Sequence, residues 1–334
     1  MTTIREVAEH AGVSVATVSR VINKTGVVSP ALQARVLWAM QELNYQPSAL
    51  ARSLRRQETH TVGVLVPQLD HPFFGALSFA IEKTLAASDY HTFICSAEES
   101  RDKEDAYVNM LLRQRVDGVI LVPTGHSTEN VQQLVERRIP VVLVDRNLPD
   151  LEINRVLSNN FQGGYDGARH LLELGHRCIG VIGGPAHSDP IMHRIRGIRK
   201  AFADFGVETE PIIHGDDILQ QFEMGYTAAR ELLLQTPRPT AIFALTDVMA
   251  VGALHAAAEF GLTPGRDLSL VGFDDIPLAS YVIPALTTVA QPIYSMGQTA
   301  AQLLLNHIAN PDMPIETVVL ETKLIIRDST APPP

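Results

Sequence analysis

Residues 3–24 read TIREVAEHAGVSVATVSRVINK. Thr3 followed three residues later by Glu6 forms a capping box, so a helix is expected to begin at Ile4. Ile4, Val7, Ala8 and Ala11 then recur at helical spacing on one face. Gly12 permits a tight turn, because without a Cβ it takes a positive φ at little cost. Ser14 suits the N-cap of a second helix from Val15 to about Ile22. On that helix Val18, Val21 and Ile22 point one way, and Ala16, Thr17 and Arg20 the other. Two short helices joined by a glycine turn make a helix-turn-helix, whose second helix fits a DNA major groove.

The same pattern alone also suits an ordinary helical hairpin, so the continuation matters. Ser29-Pro30 supplies an N-cap and a first-turn proline for a third helix to about Leu43. Leu32, Val36, Ala39, Met40 and Leu43 give it an apolar face that closes a three-helix core, with Trp38 nearby. Pro47 ends this unit. Ser48 can cap the two-turn stretch ALARSLR, in which Leu50 and Leu54 share a face. Two turns do not persist alone in water, and a linker whose leucines dock on a neighbouring domain is the plain alternative. The polar run RRQETH (55–60) marks a boundary.

The chain has 334 residues, 46% of them apolar, which is ample for more than one domain and a large core. Its net charge of −10 is unevenly divided. Residues 1–56 hold seven Lys/Arg (Arg5, Arg20, Lys24, Arg35, Arg52, Arg55, Arg56) against Glu6, Glu9 and Glu42, so the head is +4 and the remainder −14. A basic head on an acidic body attracts phosphates locally while the body resists indiscriminate attachment. Cys95 and Cys178 lie in strand-like runs and are expected as buried thiols, with no metal-ligand spacing around them. No signal peptide or membrane-length run is present, so a cytoplasmic, nucleoid-associated protein without membrane contact is expected.

From Thr61 the texture changes to apolar runs separated by helical stretches: VGVLV (62–66), TFIC (92–95), GVILV (118–122), VVLVD (141–145), IGVI (179–182), AIFAL (241–245) and LSLVGF (268–273). Such runs, without polar alternation, imply parallel strands covered on both faces by helices. Their number suggests two doubly wound lobes, with the break near Asn160. TTVAQP (287–292), a further helix and TVVLETKLIIR (317–327) would cross back between them.

In VAEHAGVSVATVSRVIN (7–23), VSPALQARV (28–36) and LNYQPSALARSL (43–54) the chain resembles the lac-repressor (LacI/GalR) family of bacterial transcriptional regulators, with a ribose- or purine-repressor-like core. The resemblance implies a small all-α helix-turn-helix head and an α/β two-lobed, periplasmic-binding-protein-like body of doubly wound parallel sheets. The expected divisions are a DNA-binding head at 1–46, a hinge helix and linker at 47–60, and an effector-binding and dimerisation domain at 61–334. Within the last, lobe 1 would take about 61–160 plus 291–320, and lobe 2 about 161–290 plus 321–330. The resemblance further implies that residues 47–60 hold a hinge helix ordered on operator DNA, with Leu54 wedged into the minor groove and Ala51, Arg52 and Arg55 beside it. Opening a base step in this way costs about a few kcal/mol, recovered through contacts to the bent duplex. Because the sequence stops at APPP, it has no room for the C-terminal leucine heptad of some members, and a homodimer is expected.

On the recognition helix, Val15, Ala16 and Arg20 are expected to approach bases, with Arg20 able to address guanine bidentately. Ser14, Thr17, Ser19, Asn23 and Tyr45 are expected to hold phosphates or position the helix. In open parallel sheets ligands sit beyond the carboxyl ends of strands. Those ends, with the loop after IGVI, lead to His71, Phe73, Phe74, Asp145, Arg146, Arg194, Arg196, Thr246, Asp247, Asp274, Asp275 and Gln291. An aromatic face beside carboxylates, arginines and amides suits a sugar, whose C–H face stacks while its hydroxyls exchange hydrogen bonds. By resemblance, the effector-contacting positions are Phe73, Phe74, Asp145, Arg146, Arg194, Thr246, Asp274 and Gln291. His71 stands where ribose-type binders have asparagine. Plainer roles remain open: Phe73 and Phe74 as core residues, Asp247 and Asp275 as helix caps, Arg196 as a surface ion-pair member.

No GxSxG, Walker, HExxH or GxGxxG pattern is present, so neither an enzyme nor a cofactor is expected. The expected function is a ligand-responsive repressor of a sugar-utilisation operon, binding a pseudo-palindromic double-stranded operator as a dimer with a monosaccharide-type effector between its lobes. Two alternatives stand beside it. One is a nucleobase- or nucleoside-responsive repressor of the same family, for which Phe222 is the one aromatic of the stretch DDILQQF (216–222). The other, from a different class, is a sugar-binding or sugar-processing protein.

Overall fold

The computed structural model describes residues 2–23, 25–45, 59–125, 128–184, 188–207, 212–213 and 220–334. Ala51, Arg52, Leu54 and Arg55, with the expected hinge helix, lie outside the described residues. The chain divides into two compact units, a head (Met1–Thr59) and a body (His60–Pro334).

In the head, α1 spans Ile4–Ala11, α2 Val15–Asn23 and α3 Pro30–Glu42. Both bonds of the capping box at α1 are formed: Thr3 N donates to Glu6 Oε2 at 2.6 Å, and Glu6 N to Thr3 Oγ1 at 3.4 Å. Gly12 closes α1 in the left-handed conformation, at φ 61°. Ser14 Oγ accepts from Thr17 N at 3.2 Å and so caps α2. Val7, Ala8, Ala11, Val18, Val21, Val36 and Ala39 form the buried core. One expectation needs correction. Ser29 precedes Pro30 but makes no side-chain cap bond. Trp38 is 52% exposed and stacks on His10 outside the core, with ring centroids 5.0 Å apart, because its helical phase differs from that of Val36 and Ala39.

The body carries two six-stranded sheets. The first five strands are β1 (Thr61–Val66), β2 (His91–Ser96), β3 (Gly118–Leu121), β4 (Val141–Val144) and β5 (Asn154–Ser158). The next five are β6 (Ile179–Ile182), β7 (Ile212–Ile213), β8 (Ala241–Ala244), β9 (Ser269–Asp274) and β10 (Thr287–Ala290). They are followed by β11 (Thr317–Leu320) and β12 (Lys323–Ile325). The sheet orders are β11-β5-β4-β3-β1-β2 and β12-β10-β9-β8-β6-β7, so the chain crosses between sheets after β5, after β10 and again after β11. Helices α4 (Pro72–Ala86), α5 (Arg101–Gln114), α6 (Glu129–Glu136), α7 (Asn160–Glu173), α8 (Asp189–Asp204), α9 (Gln221–Leu233), α10 (Asp247–Glu259) and α11 (Ile293–Ala309) complete the body.

The first sheet is parallel throughout, with a mixed-burial edge: Phe93 and Ile94 of β2 are exposed. The run TFIC is therefore an edge strand rather than one covered on both faces. In the second sheet β12 pairs antiparallel with β10, a departure from the all-parallel expectation. Its chain enters from β11 through only two residues, too few to return for a parallel pairing. Strand β5 was not among the apolar runs, because Asn154 and Arg155 break its pattern. Cys95 is buried, whereas Cys178, just before β6, is only half-buried. Among the described residues, no helix is long and apolar enough to cross a membrane.

Two helix crossings in the second lobe bring backbones into close approach. A Cβ on Gly164 of α7 would lie 2.2 Å from Arg194 O of α8, and one on Gly225 of α9 would lie 2.2 Å from Met249 O of α10. Backbones can approach so closely only where no side chain intervenes.

Candidate functional site

The head presents the outer face of α2. Val15, Ala16 and Arg20 are exposed, while Val18 and Val21 hold the helix to the core. Ser14 and Thr17 share a hydroxyl–hydroxyl bond of 2.9 Å. Asn23 Nδ2 donates to Ser19 O at 2.7 Å and to Ser19 Oγ at 3.2 Å, tying down the end of α2. Tyr45 packs against the head core, and its N–H donates to Met40 O. Arg35 turns inward: its guanidinium donates to Ala11 O at 2.6 Å and Gly12 O at 3.3 Å. It satisfies carbonyls at the end of α1, a duty that the charge count of the head did not reveal.

In the body, His71, Phe73, Phe74, Asp145, Arg146, Arg194, Thr246, Asp274 and Gln291 all line one cavity. The sheet geometry explains the convergence: β1, β4, β8, β9 and β10 direct their carboxyl ends toward it. Asp145 follows β4 with φ 65°, and Asp274 ends β9 with φ 113°. A left-handed or still rarer backbone at two aspartates costs of order 1–3 kcal/mol each, and such outliers cluster at functional sites.

Each charged group is held by named partners. Arg146 donates to both carboxylate oxygens of Glu99, at 2.9 and 2.6 Å, and to Pro123 O at 3.0 Å. Arg194 donates through Nε to Asn160 Oδ1 at 2.8 Å and through a terminal nitrogen to Leu245 O, and lies 3.5 Å from Asp274 Oδ1. Its guanidinium also sits 3.7 Å from the centroid of the Phe273 ring. Gln291 Nε2 donates to Asp274 Oδ1 at 2.8 Å. Burial pushes the Asp274 carboxyl up to about 7, opposed by the Arg194 charge and the Gln291 bond. Burial likewise raises Asp145, against the charges of Arg194 and Arg146.

Phe73 and Phe74 meet edge to face, with centroids 5.2 Å apart. They belong to the first lobe's core and also face the cavity. His71 caps α4 by accepting from Phe73 N at Nδ1, 3.3 Å away, and its Nε2 lies 3.3 Å from Gln221 Oε1. Thr246 caps α10 by accepting from Met249 N, and donates to the same Gln221 oxygen at 2.8 Å.

Other positions differ from expectation. Asp247 is no cap: wholly buried, it accepts from Thr288 Oγ1 at 2.6 Å and Ile276 N at 2.9 Å. Asp275 pairs with Arg327 at 2.7 Å. Arg194 and Arg196 stand on α8, the first buried and the second exposed. Phe222 is 49% exposed and does not line the cavity; Gln221 does, because α9 begins one residue earlier. Sequence reasoning missed Gln221 and the supporting Glu99 and Asn160. The asparagine sat in the NN step near the lobe break, but nothing in its spacing pointed to Arg194. Among the described residues no cluster of His, Cys, Asp and Glu could hold a metal ion.

A helix-turn-helix head and a two-lobed body with a polar, charged cavity are the parts of a ligand-controlled DNA-binding regulator. Comparison with known proteins agrees. Residues 3–48 match the bacterial regulatory proteins of the lacI family, and residues 168–330 match the periplasmic binding protein-like domain. The chain is 40% identical over 339 residues to the HTH-type transcriptional repressor PurR of Proteus mirabilis (strain HI4320), spanning all of this chain and 98% of that protein. Its fold is similar to that of the lac repressor dimer bound to operator and the anti-inducer ONPF, with TM-score 0.86, 28% identity, and 99% of each chain covered. It is also similar to a LacI family transcriptional regulator from Enterococcus faecium with bound ribose, with TM-score 0.75, 33% identity, and 81% of this chain and 99% of that one covered. The chain belongs to the lacI family of DNA-binding transcriptional regulators.

Proposed function

We propose that this regulator represses a sugar-utilisation operon, binding a pseudo-palindromic operator as a cytoplasmic, nucleoid-associated homodimer with a monosaccharide-type effector between its lobes. The observation that carries the sugar reading is the cavity wall: one pair of phenylalanines faces Asp145, Asp274, two arginines and the Gln291 amide, while Phe222 stays outside. A sugar ring has one apolar face and a rim of hydroxyls, which this asymmetry matches. A flat nucleobase is better held between two aromatic faces, and the second lobe supplies none to this cavity among the described residues.

In this reading Val15, Ala16 and Arg20 read bases, Ser14, Thr17, Ser19, Asn23 and Tyr45 position α2, and residues 47–60 couple the head to the effector domain at 61–334. The effector acts by binding the operator-competent and incompetent states unequally. Release of the operator (induction) and promotion of binding (corepression) are both compatible with this scheme.

A second reading, a nucleobase- or nucleoside-responsive repressor, is favoured by one observation: the relatives at 38–40% identity over the whole chain are named PurR. The test is a selection of operator duplexes from a random library by the full-length protein, followed by anisotropy titrations with monosaccharides or with purine bases and nucleosides. A change in operator affinity with a monosaccharide supports the first reading; a change with purines alone replaces it by the second. Failure to select any symmetric duplex overturns both.

A further inference from the structure

Asn160 stands behind the cavity rather than in it. Its side chain is 4% exposed and does not line the cavity, yet both ends of its amide are engaged. Oδ1 accepts from Arg194 Nε at 2.8 Å, and Nδ2 donates to Ser158 O at 3.3 Å. This orientation is forced. A guanidinium only donates and a carbonyl only accepts, so the amide oxygen faces Arg194 and the amide nitrogen faces Ser158. The two partners belong to different lobes: Arg194 stands on α8 of the second and lines the cavity, whereas Ser158 ends β5 in the first sheet.

Ser158 is also where the crossings between the lobes meet. It pairs with Leu320, the last residue of β11. Just beyond, Asn159 N donates to Leu320 O at 2.8 Å, Asn159 Nδ2 to Glu321 Oε2 at 3.0 Å, and Thr322 Oγ1 to Asn159 O at 3.4 Å. The first and third crossings are thus zipped side by side. Ser158 Oγ donates to Met296 Sδ at 3.1 Å, on the helix that follows the second crossing. Behind Arg194, α7 and α8 touch backbone to backbone. A Cβ on Gly164 would lie 2.2 Å from Arg194 O, and one on Gly197 would lie 2.0 Å from Phe161 O. Helices packed so closely do not slide to absorb a small shift, so movement of the guanidinium passes to the amide that holds it.

Resting on the reading that an effector occupies this cavity, we propose that Asn160 is the positioning residue that couples Arg194 to the crossings, so that the angle between the lobes follows the place of the guanidinium. Aspartate at this position separates the two duties of the amide. Its carboxylate still accepts from Arg194 Nε but has no proton to give Ser158 O. A residue that merely supported Arg194 would tolerate the exchange; a coupling residue would not.

The experiment measures the distance between the lobes by pulsed electron paramagnetic resonance in the full-length, ligand-free protein, diluted with unlabelled chain. Spin labels are placed at Gln133→Cys on α6 and Ala203→Cys on α8, both exposed, in a Cys178→Ser background. The starting protein is compared with Arg194→Gln, Asn160→Asp and the double variant. Each single substitution should shift or broaden the distance distribution, and the double variant should go no further than either, because both break one chain of bonds. A distribution unmoved by Asn160→Asp, or two effects that add, overturns the proposal. If Asn160→Asp fails to fold, Asn160→Ala takes its place under the same criteria. Operator titrations on the same forms read the consequence at the head, where affinity should change by about fivefold, again without adding. Altered distances with unchanged operator affinity would overturn control of the head by the lobes while leaving the Asn160 coupling in place. No effector is added, so the outcome is independent of the choice between sugar and purine.

Discussion

His71 on the first lobe and Gln221 on the second share a hydrogen bond of 3.3 Å, and the imidazole is neutral there because its Nδ1 accepts from Phe73 N–H. Nδ1 accepts from Phe73 N, so the single ring proton resides on Nε2, where it meets Gln221 Oε1. Burial lowers the His71 pKa to about 4, partly offset by the Gln221 bond, with the Arg146 and Arg194 charges adding to the fall. An unfolded histidine takes its proton near 6.5, so the unfolded chain binds more protons between these values. Stability from His71 is therefore complete above about 6.5 and lost as pH falls toward 4, by at most ~3 kcal/mol. Asp274 has the opposite sign: raised to about 7, it contributes stability below the unfolded carboxyl value that is lost as pH rises through 7. Denaturant titrations from pH 7 to pH 4 should show wild type losing stability relative to His71→Asn. Parallel curves would remove the neutral-imidazole bridge.

Gly164→Ala should destabilise the body by about 1–3 kcal/mol, since the new Cβ would lie 2.2 Å from Arg194 O. Separation of α7 from α8 would also displace the Arg194 guanidinium, so effector affinity should fall with stability. Gly125→Ala, whose Cβ meets nothing within 4 Å, is the control. Urea unfolding checks both; equal midpoints would mean that the crossing yields without cost.

Arg35 and Arg20 are both basic residues of the head, but their substitutions should behave differently. Arg35→Ala removes two bonds to carbonyls at the end of α1 and should lower the head's stability by about 1.5–3 kcal/mol. The salt dependence of operator binding should stay unchanged, because no phosphate contact is lost. Arg20→Ala, on the exposed face of α2, should leave stability alone and relax base preference at one position by about 1–3 kcal/mol. Anisotropy titrations over a salt series, with thermal melts, separate the two.

Asp274→Ala should abolish the effector response while operator affinity without effector stays near wild type. The carboxylate is the partner of both Gln291 Nε2 and Arg194, so its loss disorganises the cavity without touching the head. A full response in the variant would move the effector to another site.

Much of this molecule is written in local pattern. The capping box of Thr3 and Glu6, the turn at Gly12 and the apolar phase of α2 specify the helix-turn-helix through contacts only a few residues apart. The apolar runs identify most of the strands, because burial on both faces leaves no room for polar alternation. Strand ends were enough to find Phe73, Asp145, Arg146, Thr246, Asp274 and Gln291, since parallel strands deliver their carboxyl ends to one edge of the sheet.

Other features depend on what a residue meets across the fold. Glu99 gains its role from Arg146, 47 positions away, and Asn160 from Arg194, 34 positions away. Gln221 reaches the cavity in place of Phe222 because the start of α9 sets the helical phase, and a single step turns a side chain by about 100°. The antiparallel course of β12 follows from the short link to β11, and the fit of Gly164 and Gly225 from helices whose backbones must touch. Spacing along the chain reports neighbours on one element; a close approach between elements is settled only when both have packed, because its energy belongs to the pair.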